Sequence, residues 1–332
     1  MSVNRTFGSE LSPYSVKVRS YFRYKNIPHE WVPRSSANEE EFRKYAKLPL
    51  IPLVVTPQGE GLQDSTPILE RFERLHPEPS IHPSDPTAAF VSTLIEEYGD
   101  EWGNKPMFHY RWSYGPDQDS AAGRIARQMA PGLDDASFAA IVEAVKGRMV
   151  PRLKLVGSSP ETKDQIEGSL HRQLSILETH LAKRKYLFGG RPAFADFGLY
   201  PQLYQCSSDP TPGALLRERA PNTLAWIERM LSPRAEGPFE EWRALEPTLE
   251  PLLRDEVGAI FLPWSDANSR ALAAGEKDVS LTLGGKPFGQ EAQKYHAKSL
   301  AALRARYAAV TDKSALDPLH ERTGCLRWLR AA

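Results

Sequence analysis

The chain has 332 residues, 41% of them hydrophobic and 25% charged, and its 42 basic side chains are balanced by 42 acidic ones. This length predicts two domains, and the zero net charge offers no basic excess for binding nucleic acid or an anionic membrane. No stretch holds the roughly 18 apolar residues that a membrane span needs, and the first residues lack the pattern of a secretory signal. The composition is that of an ordinary soluble globular protein.

The two cysteines, Cys206 and Cys325, stand far apart in the sequence and in no metal-binding spacing. This usage fits a reducing compartment without a disulfide framework, so we expect a cytoplasmic location. The eight histidines form no metal-ligand motif such as HExxH, and we expect no bound metal.

The N-terminal part of the chain alternates between strand-like and helix-like patterns. The predicted elements are a strand at Val3–Phe7, a helix at Pro13–Lys25, a strand at His29–Val32, a helix at Glu39–Lys47, strands at Leu53–Thr56 and Gly61–Gln63, and a helix at Ser65–Leu75. The order is βαβ, then a helix, then ββα. It predicts a small α/β sheet with helices on its faces.

A proline-rich segment, HPEPSIHPSDP at residues 76–86, predicts a junction between domains. Beyond it we predict helices at Thr87–Trp102, Ile166–Leu181 and Leu224–Leu231, a hairpin at Ser280–Phe288 and a helix at Ala292–Ala309. The expected division is a first domain at residues 1–78, a linker at 79–86 and a helical domain at 87–332, which includes a C-terminal extension from about residue 235.

The sequence LSPYSVKVR, residues 11–19, opens the first predicted helix. Serine is favoured immediately before a helix, and proline is favoured in the first turn, because the N–H that it lacks would have no partner there. Capping alone therefore explains Ser12. The alternative is that its hydroxyl also lies beside a reacting atom.

Five segments, in this order, resemble those of one known family. They are SPYSVKVR at residues 12–19, the dipeptide Ile51-Pro52, the pair Asp64-Ser65, HPSDPTAAF at residues 82–90, and LFGGRPAFADFGLYPQL at residues 187–203. Together they resemble the cytosolic glutathione transferase superfamily, which implies an α/β thioredoxin-like domain followed by an all-α domain. The resemblance also implies glutathione as co-substrate, a role in detoxification and a homodimer.

The resemblance implies roles for residues in the first two segments. Ser12 would stabilise the glutathione thiolate, and Tyr14 and Ser15 are alternative donors. Ile51-Pro52 would be a cis dipeptide whose Ile51 backbone pairs with the cysteinyl part of glutathione. The alternative for Pro52 is an ordinary trans proline at the start of a strand.

Asp64 and Ser65 lie at the start of a predicted helix. The Ser65 hydroxyl and the free N–H groups of the helix suit the γ-glutamyl carboxylate, and Asp64 suits the ligand's amine. The alternative is that Ser65 only caps the helix. Family members often have Lys or Gln where this chain has Leu50, so either Lys47 binds the glycyl carboxylate or that carboxylate is held differently.

Residues 97–114 are rich in aromatic side chains. Tyr110, Trp112 and the neighbouring His109 are candidates for lining an apolar substrate pocket. The alternative is that these aromatic rings pack between helices.

The extension has no counterpart in ordinary family members, yet its apolar content and helical periodicity predict ordered structure. It would wrap the helical domain or cover the active site. We expect its Tyr295 and His296 at the surface. In the segment at residues 187–203 we expect Asp196 to be structural.

The resemblance implies a glutathione transferase. Its thiolate would attack a small apolar electrophile or support the reduction of a peroxide. Serine at position 12 disfavours disulfide exchange, because a hydroxyl cannot form a mixed disulfide. The alternative is a non-catalytic binding or assembly module that retains the fold, because fold does not determine function.

Overall fold

The computed structural model describes residues 3–132 and 134–330; the outer ends of the predicted domains, residues 1 and 332, lie outside it. The N-terminal elements are β1 (Asn4–Gly8), α1 (Pro13–Tyr24), β2 (His29–Pro33), α2 (Glu39–Tyr45), β3 (Leu53–Val55), β4 (Gly61–Gln63) and α3 (Ser65–Leu75). The strand order is β2-β1-β3-β4. Strands β1 and β2 are parallel, and β3 is antiparallel to β1 and β4. The predicted thioredoxin-like domain is confirmed.

The register of the strands brings three chain segments to one end of this sheet. Phe7 of β1 pairs with Leu53 of β3, and Leu53 pairs with Gln63 of β4. The residues that follow β1, precede β3 and follow β4 therefore emerge at the same edge. Ser12, Ile51-Pro52 and Asp64-Ser65 lie in these three segments.

Helix α2 ends at Tyr45, before the predicted end at Lys47. The side chain of Gln63 gives the physical reason. Its Oε1 accepts hydrogen bonds from the N–H groups of Lys47 (2.8 Å) and Leu48 (3.0 Å), and its Nε2 donates to the C=O groups of Leu48 (2.8 Å) and Leu50 (2.7 Å). These backbone groups are thus bound by a neighbouring strand and do not continue the helix.

The helical domain is built around one buried helix, α9 (Phe194–Ser208). Its helices are α4 (Pro86–Glu101), α5 (Asn104–Ser113), α6 (Gly115–Met129), α7 (Asp135–Met149), α8 (Lys163–Leu181), α9 (Phe194–Ser208), α10 (Pro210–Arg219) and α11 (Pro221–Met230). Helices α4 and α9 cross closely, since a Cβ on Gly198 would lie 2.6 Å from the carbonyl oxygen of Glu96. Across the described residues, no helix combines the length and the apolar character needed to cross a membrane.

Asp196 has the expected structural role at the start of α9. One carboxylate oxygen accepts hydrogen bonds from the Leu187 N–H (2.9 Å) and the Trp226 indole (2.8 Å), and the other accepts from the Ala193 N–H (2.8 Å). Its buried carboxylate therefore joins α9, α11 and the turn before α9.

The C-terminal extension is folded. Its elements are α12 (Trp242–Leu252), a π-helical segment (Leu253–Phe261), α13 (Leu262–Ala273), β5 (Asp278–Leu283), β6 (Lys286–Glu291), α14 (His296–Ala309), α15 (Leu316–Arg322) and α16 (Leu326–Leu329). The predicted hairpin is present as β5 and β6. Gly284 and Gly285 have φ of 56° and 79° at its turn, the left-handed conformation that such tight turns require. Helix α14 begins later than predicted, because Asn268 holds the backbone of Gln293 in a loop.

The extension shares its hydrophobic core with the helical domain. Trp264 of α13 meets Trp102 edge to face, with ring centroids 5.7 Å apart. Buried Glu256 accepts hydrogen bonds from the Tyr98 hydroxyl (3.2 Å) and from Arg172 Nε (2.7 Å). Apolar and polar contacts together make the extension an integral layer of this domain.

Cys206 and Cys325 are buried free thiols. Within residues 3–132 and 134–330, no three His, Cys, Asp or Glu side chains are grouped to hold a metal ion. The expected absence of a metal stays a prediction.

Candidate active site

Ser12 lies at the N-terminus of α1, at the sheet edge where the three segments meet. Its backbone is extended, and its Oγ accepts a hydrogen bond from the Ser15 N–H at 3.3 Å. This is the geometry of an N-cap. Because the hydroxyl acts as an acceptor in that bond, its own proton stays available to a second partner.

The two alternative donors are placed differently. The Tyr14 hydroxyl donates to the C=O of Asp100 (3.0 Å) and accepts from Asn104 Nδ2 (3.2 Å), and burial raises the pKa of this phenol. Ser15 is fully buried against Gly8, where an added Cβ would come within 2.9 Å of the Ser15 Cβ. Tyr14 thus has its O–H committed, and Ser15 faces the sheet.

A cavity of about 300 Å³ lies between the N-terminus of α1 and helix α5. Most of its wall is apolar. The apolar lining residues are Leu11, Pro13, Met107, Phe108, Trp112, Ile125, Met149 and Val156. Ser12, Tyr14, Asn104 and Arg111 supply the polar groups. Ser12 therefore lies both at a helix N-terminus and in the wall of an apolar cavity.

The three predicted pocket residues occupy different places. Trp112 lies in the cavity wall, and His109 and Tyr110 are not among its lining residues. Both ring nitrogens of His109 are hydrogen-bonded, to Ser158 Oγ (2.7 Å) and Glu167 Oε1 (3.0 Å), and burial lowers the pKa of this imidazole. Tyr110 is buried. His109 and Tyr110 thus belong to the packing between helices.

Arg111 connects the cavity to the segment before Ser12. Its Nη1 donates to the C=O of Leu11 at 3.0 Å, while its Nε donates to the buried carboxylate of Asp209 at 2.7 Å. Arg111 is 3% exposed, so these bonds hold its guanidinium in place. Arg111 therefore fixes the path of the chain as it enters α1.

The Ile51-Pro52 peptide is cis and lies just before β3. In the part of the chain that the structure describes, the backbone N–H and C=O of Ile51 have no hydrogen-bond partner. An N–H and a C=O on one residue can pair with an extended peptide. Ile51 therefore offers such a pair at the same sheet edge as Ser12.

Asp64 and Ser65 form the N-terminus of α3. Asp64 has a φ of 77°, which is uncommon outside glycine, and Ser65 is buried. The first N–H groups of a helix have no partner within the helix, and they favour an anion. The turn at Asp64 thus places a carboxylate beside an anion-binding helix end.

A buried lysine connects the helices behind this site. Lys17 Nζ donates to Glu96 Oε1 (2.6 Å), Asp100 Oδ2 (2.6 Å) and Thr66 Oγ1 (2.8 Å). Burial alone would lower the pKa of Lys17, but the two carboxylates outweigh it and raise the pKa. This network ties α1, α3 and α4 together, so it fixes the positions of Ser12 and Ser65.

The loop before Pro52 carries Lys47, the predicted partner of the glycyl carboxylate, and Leu50. Lys47 is exposed, and Leu50 is 60% exposed. A second cation, Arg34, donates from Nη1 to the C=O of Pro49 at 3.0 Å. Sequence reasoning missed Arg34, although it directly follows β2, whose carboxyl end lies beside that of the parallel strand β1.

The extension reaches the N-terminus of α3. The Tyr295 hydroxyl donates to the carboxylate of Asp64. The expected surface position holds for Tyr295, which is 58% exposed, but is wrong for His296, which is 2% exposed. His296 is buried because the tilted ring of Trp264 packs against it, with ring centroids 4.3 Å apart, and both ring nitrogens have partners.

Family models match two parts of the chain. The glutathione S-transferase N-terminal domain model matches residues 7–80, and the glutathione S-transferase C-terminal domain model matches residues 160–229. Residues 7–80 and 160–229 therefore correspond to the two domains of the glutathione S-transferase superfamily. Neither matched range includes the extension. Comparison with curated protein sequences gave no significant match.

Solved structures similar to this chain include three bacterial proteins. A glutathione S-transferase from Rhodospirillum rubrum F11 is 19% identical, with 68% of this chain and 86% of that chain covered and a TM-score of 0.44. One from Methylobacterium radiotolerans JCM 2831, in complex with glutathione sulfonate, is 21% identical, with 72% and 97% covered and a TM-score of 0.43. The β-etherase LigF from Sphingobium sp. strain SYK-6 is 19% identical, with 69% and 95% covered and a TM-score of 0.49.

Proposed function

We propose that this protein is a glutathione transferase that activates the glutathione thiolate at Ser12. The observation that carries the proposal is the position of Ser12, at the N-terminus of α1 and in the wall of an apolar cavity of about 300 Å³. A thiolate beside Ser12 would therefore face a space suited to a small apolar electrophile. Family membership supports glutathione as the thiol.

Glutathione would lie along the sheet edge. The backbone of Ile51, next to Pro52, would pair with its cysteinyl residue. Ser65 and the first N–H groups of α3 would bind the γ-glutamyl carboxylate, and Asp64 would bind the amine. Lys47 is the proposed partner of the glycyl carboxylate, with Arg34 as the alternative because it already approaches Pro49.

Ser12 would act by favouring the thiolate over the thiol. A free thiol has a pKa of about 8.5, so little of it is ionised at neutral pH. A hydrogen bond from the Ser12 hydroxyl and the positive end of α1 both stabilise the charged form. The anion then forms a bond to the electrophilic atom, displacing its leaving group. In the alternative reaction it attacks a peroxide oxygen, the O–O bond breaks and an alcohol leaves; a second glutathione then reacts with the resulting sulfenic acid to give the disulfide and water.

Two measurements test the proposal together. Isothermal titration with glutathione measures binding, and a conjugation assay with a chlorodinitrobenzene measures turnover by absorbance. Binding with turnover above the uncatalysed rate is the expected result. Absence of glutathione binding would contradict the proposal.

The alternative is a non-catalytic binding or assembly module. It is favoured by Leu50, an exposed apolar side chain where the resemblance implies a polar contact with glutathione. Binding without turnover, for electrophiles and for peroxides, would support this alternative.

The homodimer, the cytoplasmic location and the role in detoxification remain proposals that follow from family membership. Light scattering after size-exclusion chromatography tests the first. Two chain masses per particle are expected, and one would contradict it.

A further inference from the structure

Tyr295 joins the extension to the proposed γ-glutamyl site. It precedes α14, more than two hundred residues from Asp64 in sequence, and its hydroxyl donates to one oxygen of the Asp64 carboxylate. Tyr295 is 58% exposed, so this contact lies at the surface of the protein. The second carboxylate oxygen of Asp64 has no side-chain donor among the described residues.

The loop that carries Tyr295 is held on both sides. Before it, Asn268 Nδ2 donates to the Gln293 C=O (3.0 Å), and Asn268 Oδ1 accepts from the Gln293 N–H (2.7 Å). After it, His296 bonds Glu101 Oε2 (2.9 Å) and Ser265 Oγ (2.6 Å). The backbone on both sides of Tyr295 is therefore fixed by hydrogen bonds.

A second contact ties the same helix to α3. Arg306 of α14 forms an ion pair with Glu70 of α3. Tyr295 and Arg306 thus contact α3 at its beginning and along its length, which fixes α14 against the helix that starts at Ser65.

We propose that Tyr295 is a positioning residue that makes the site selective for thiols with a γ-glutamyl amine. This inference rests on the proposed function. The phenol O–H holds one Asp64 oxygen, and this orients the other oxygen toward the ligand's ammonium group. Charge-assisted hydrogen bonds depend strongly on geometry, so a carboxylate fixed in direction binds the ammonium better than one free to rotate.

The test compares glutathione with glutaryl-Cys-Gly, which lacks only the amine, by isothermal titration. Tyr295→Phe should weaken glutathione binding about five- to tenfold, the size of effect expected for one ordinary hydrogen bond, and leave binding of the amine-free thiol unchanged. In the conjugation assay, KM for glutathione should rise while kcat at saturation stays constant.

Tyr307→Phe is the matched control. Tyr307 also lies in the extension and also donates to a carboxylate, that of Asp317, which is in α15. Its loss should change neither ligand's affinity. In an Asp64→Asn background, the effect of Tyr295→Phe on glutathione should disappear.

Three outcomes would overturn the inference. One is unchanged glutathione affinity in Tyr295→Phe. Another is an equal loss for both thiols, which would mean that the phenol only supports the fold. If the wild-type protein binds neither thiol, the proposed function fails and this inference fails with it, whereas the first two outcomes leave the proposed function standing.

Discussion

Two buried lysines mark the two junctions of this molecule, and their surroundings differ. Lys17, where the sheet domain meets α4, donates to Glu96 and Asp100. Lys105, where α5 meets the extension, donates to the neutral Gln290 amide (2.6 Å) and lies 3.8 Å from the centre of the Trp264 ring. The first junction is held by paired charges, and the second by aromatic packing around one cation.

This difference separates two tasks. The charge-paired junction lies behind Ser12 and Ser65, where directional bonds fix the helix ends that would bind glutathione. The aromatic junction builds the core that the extension shares with α4 and α5. Changes at the first should therefore alter both stability and binding, and changes at the second should alter mainly stability.

Removal of the extension should have the largest effect. A chain that ends at Pro233 loses many buried apolar side chains of the shared core, Trp264 and Leu249 among them, each worth about 1.5–3 kcal/mol. We expect aggregation or a large fall in melting temperature, measured by calorimetry. An unchanged melting temperature with unchanged kinetics would show that the extension is dispensable.

Substitution of the two lysines by methionine should give effects of opposite sign. Lys17→Met leaves Glu96 and Asp100 without their buried cation, and we expect a loss of about 3–5 kcal/mol in the free energy of unfolding. Burial lowers the pKa of Lys105 to about 7, although the negative charge of Glu101 acts in the opposite direction. Lys105→Met removes this buried cation. We expect it to raise stability at pH 6, measured by urea unfolding.

The pH dependence of the free energy of unfolding gives a further test of the role of Lys105. Between pH about 7 and the ordinary lysine pKa of about 10.4, unfolded chains bind a proton at Lys105 that folded chains do not, so stability rises with pH across this window. Lys105→Met should flatten that rise. A wild-type profile that falls from pH 7 to 9, or a variant with the same slope as wild type, would contradict this assignment.

Ser65→Ala should have a smaller and more local effect. It removes one hydrogen bond to the γ-glutamyl carboxylate and should weaken glutathione binding about tenfold, with the melting temperature nearly unchanged. Thr87→Ala, at the start of α4, is a control for a first-turn hydroxyl away from the proposed site. Unchanged affinity in Ser65→Ala would remove this residue from the site.

The sequence predicted those parts of the fold that depend on neighbouring residues. The strands around Pro57–Glu60 and helix α3 at Ser65–Leu75 match their predicted positions closely, because turn and capping signals are local. The helix cap at Ser12 was also predicted from neighbouring residues. Each of these features needs only a few adjacent residues to form.

Features that depend on distant residues could not be predicted in this way. The burial of His296 depends on Trp264 and Glu101, and no pattern around residue 296 indicates those partners. The contact between Tyr295 and Asp64 likewise joins residues that are far apart in the sequence. From the sequence, the aromatic residues near Trp112 could line a pocket or pack in a core. Only the packing of α5 shows which of them does which.

Titration of the thiolate absorbance of bound glutathione tests the role of Ser12 most directly. We predict a pKa below 8.5 in the wild-type protein and an increase of about one pH unit in Ser12→Ala, equivalent to about 1.4 kcal/mol, with a matching loss of rate at neutral pH. Ser15→Ala and Tyr14→Phe should shift the pKa less. If Ser12→Ala leaves the pKa and the rate unchanged while either of the other variants abolishes activity, Ser12 is only a helix cap.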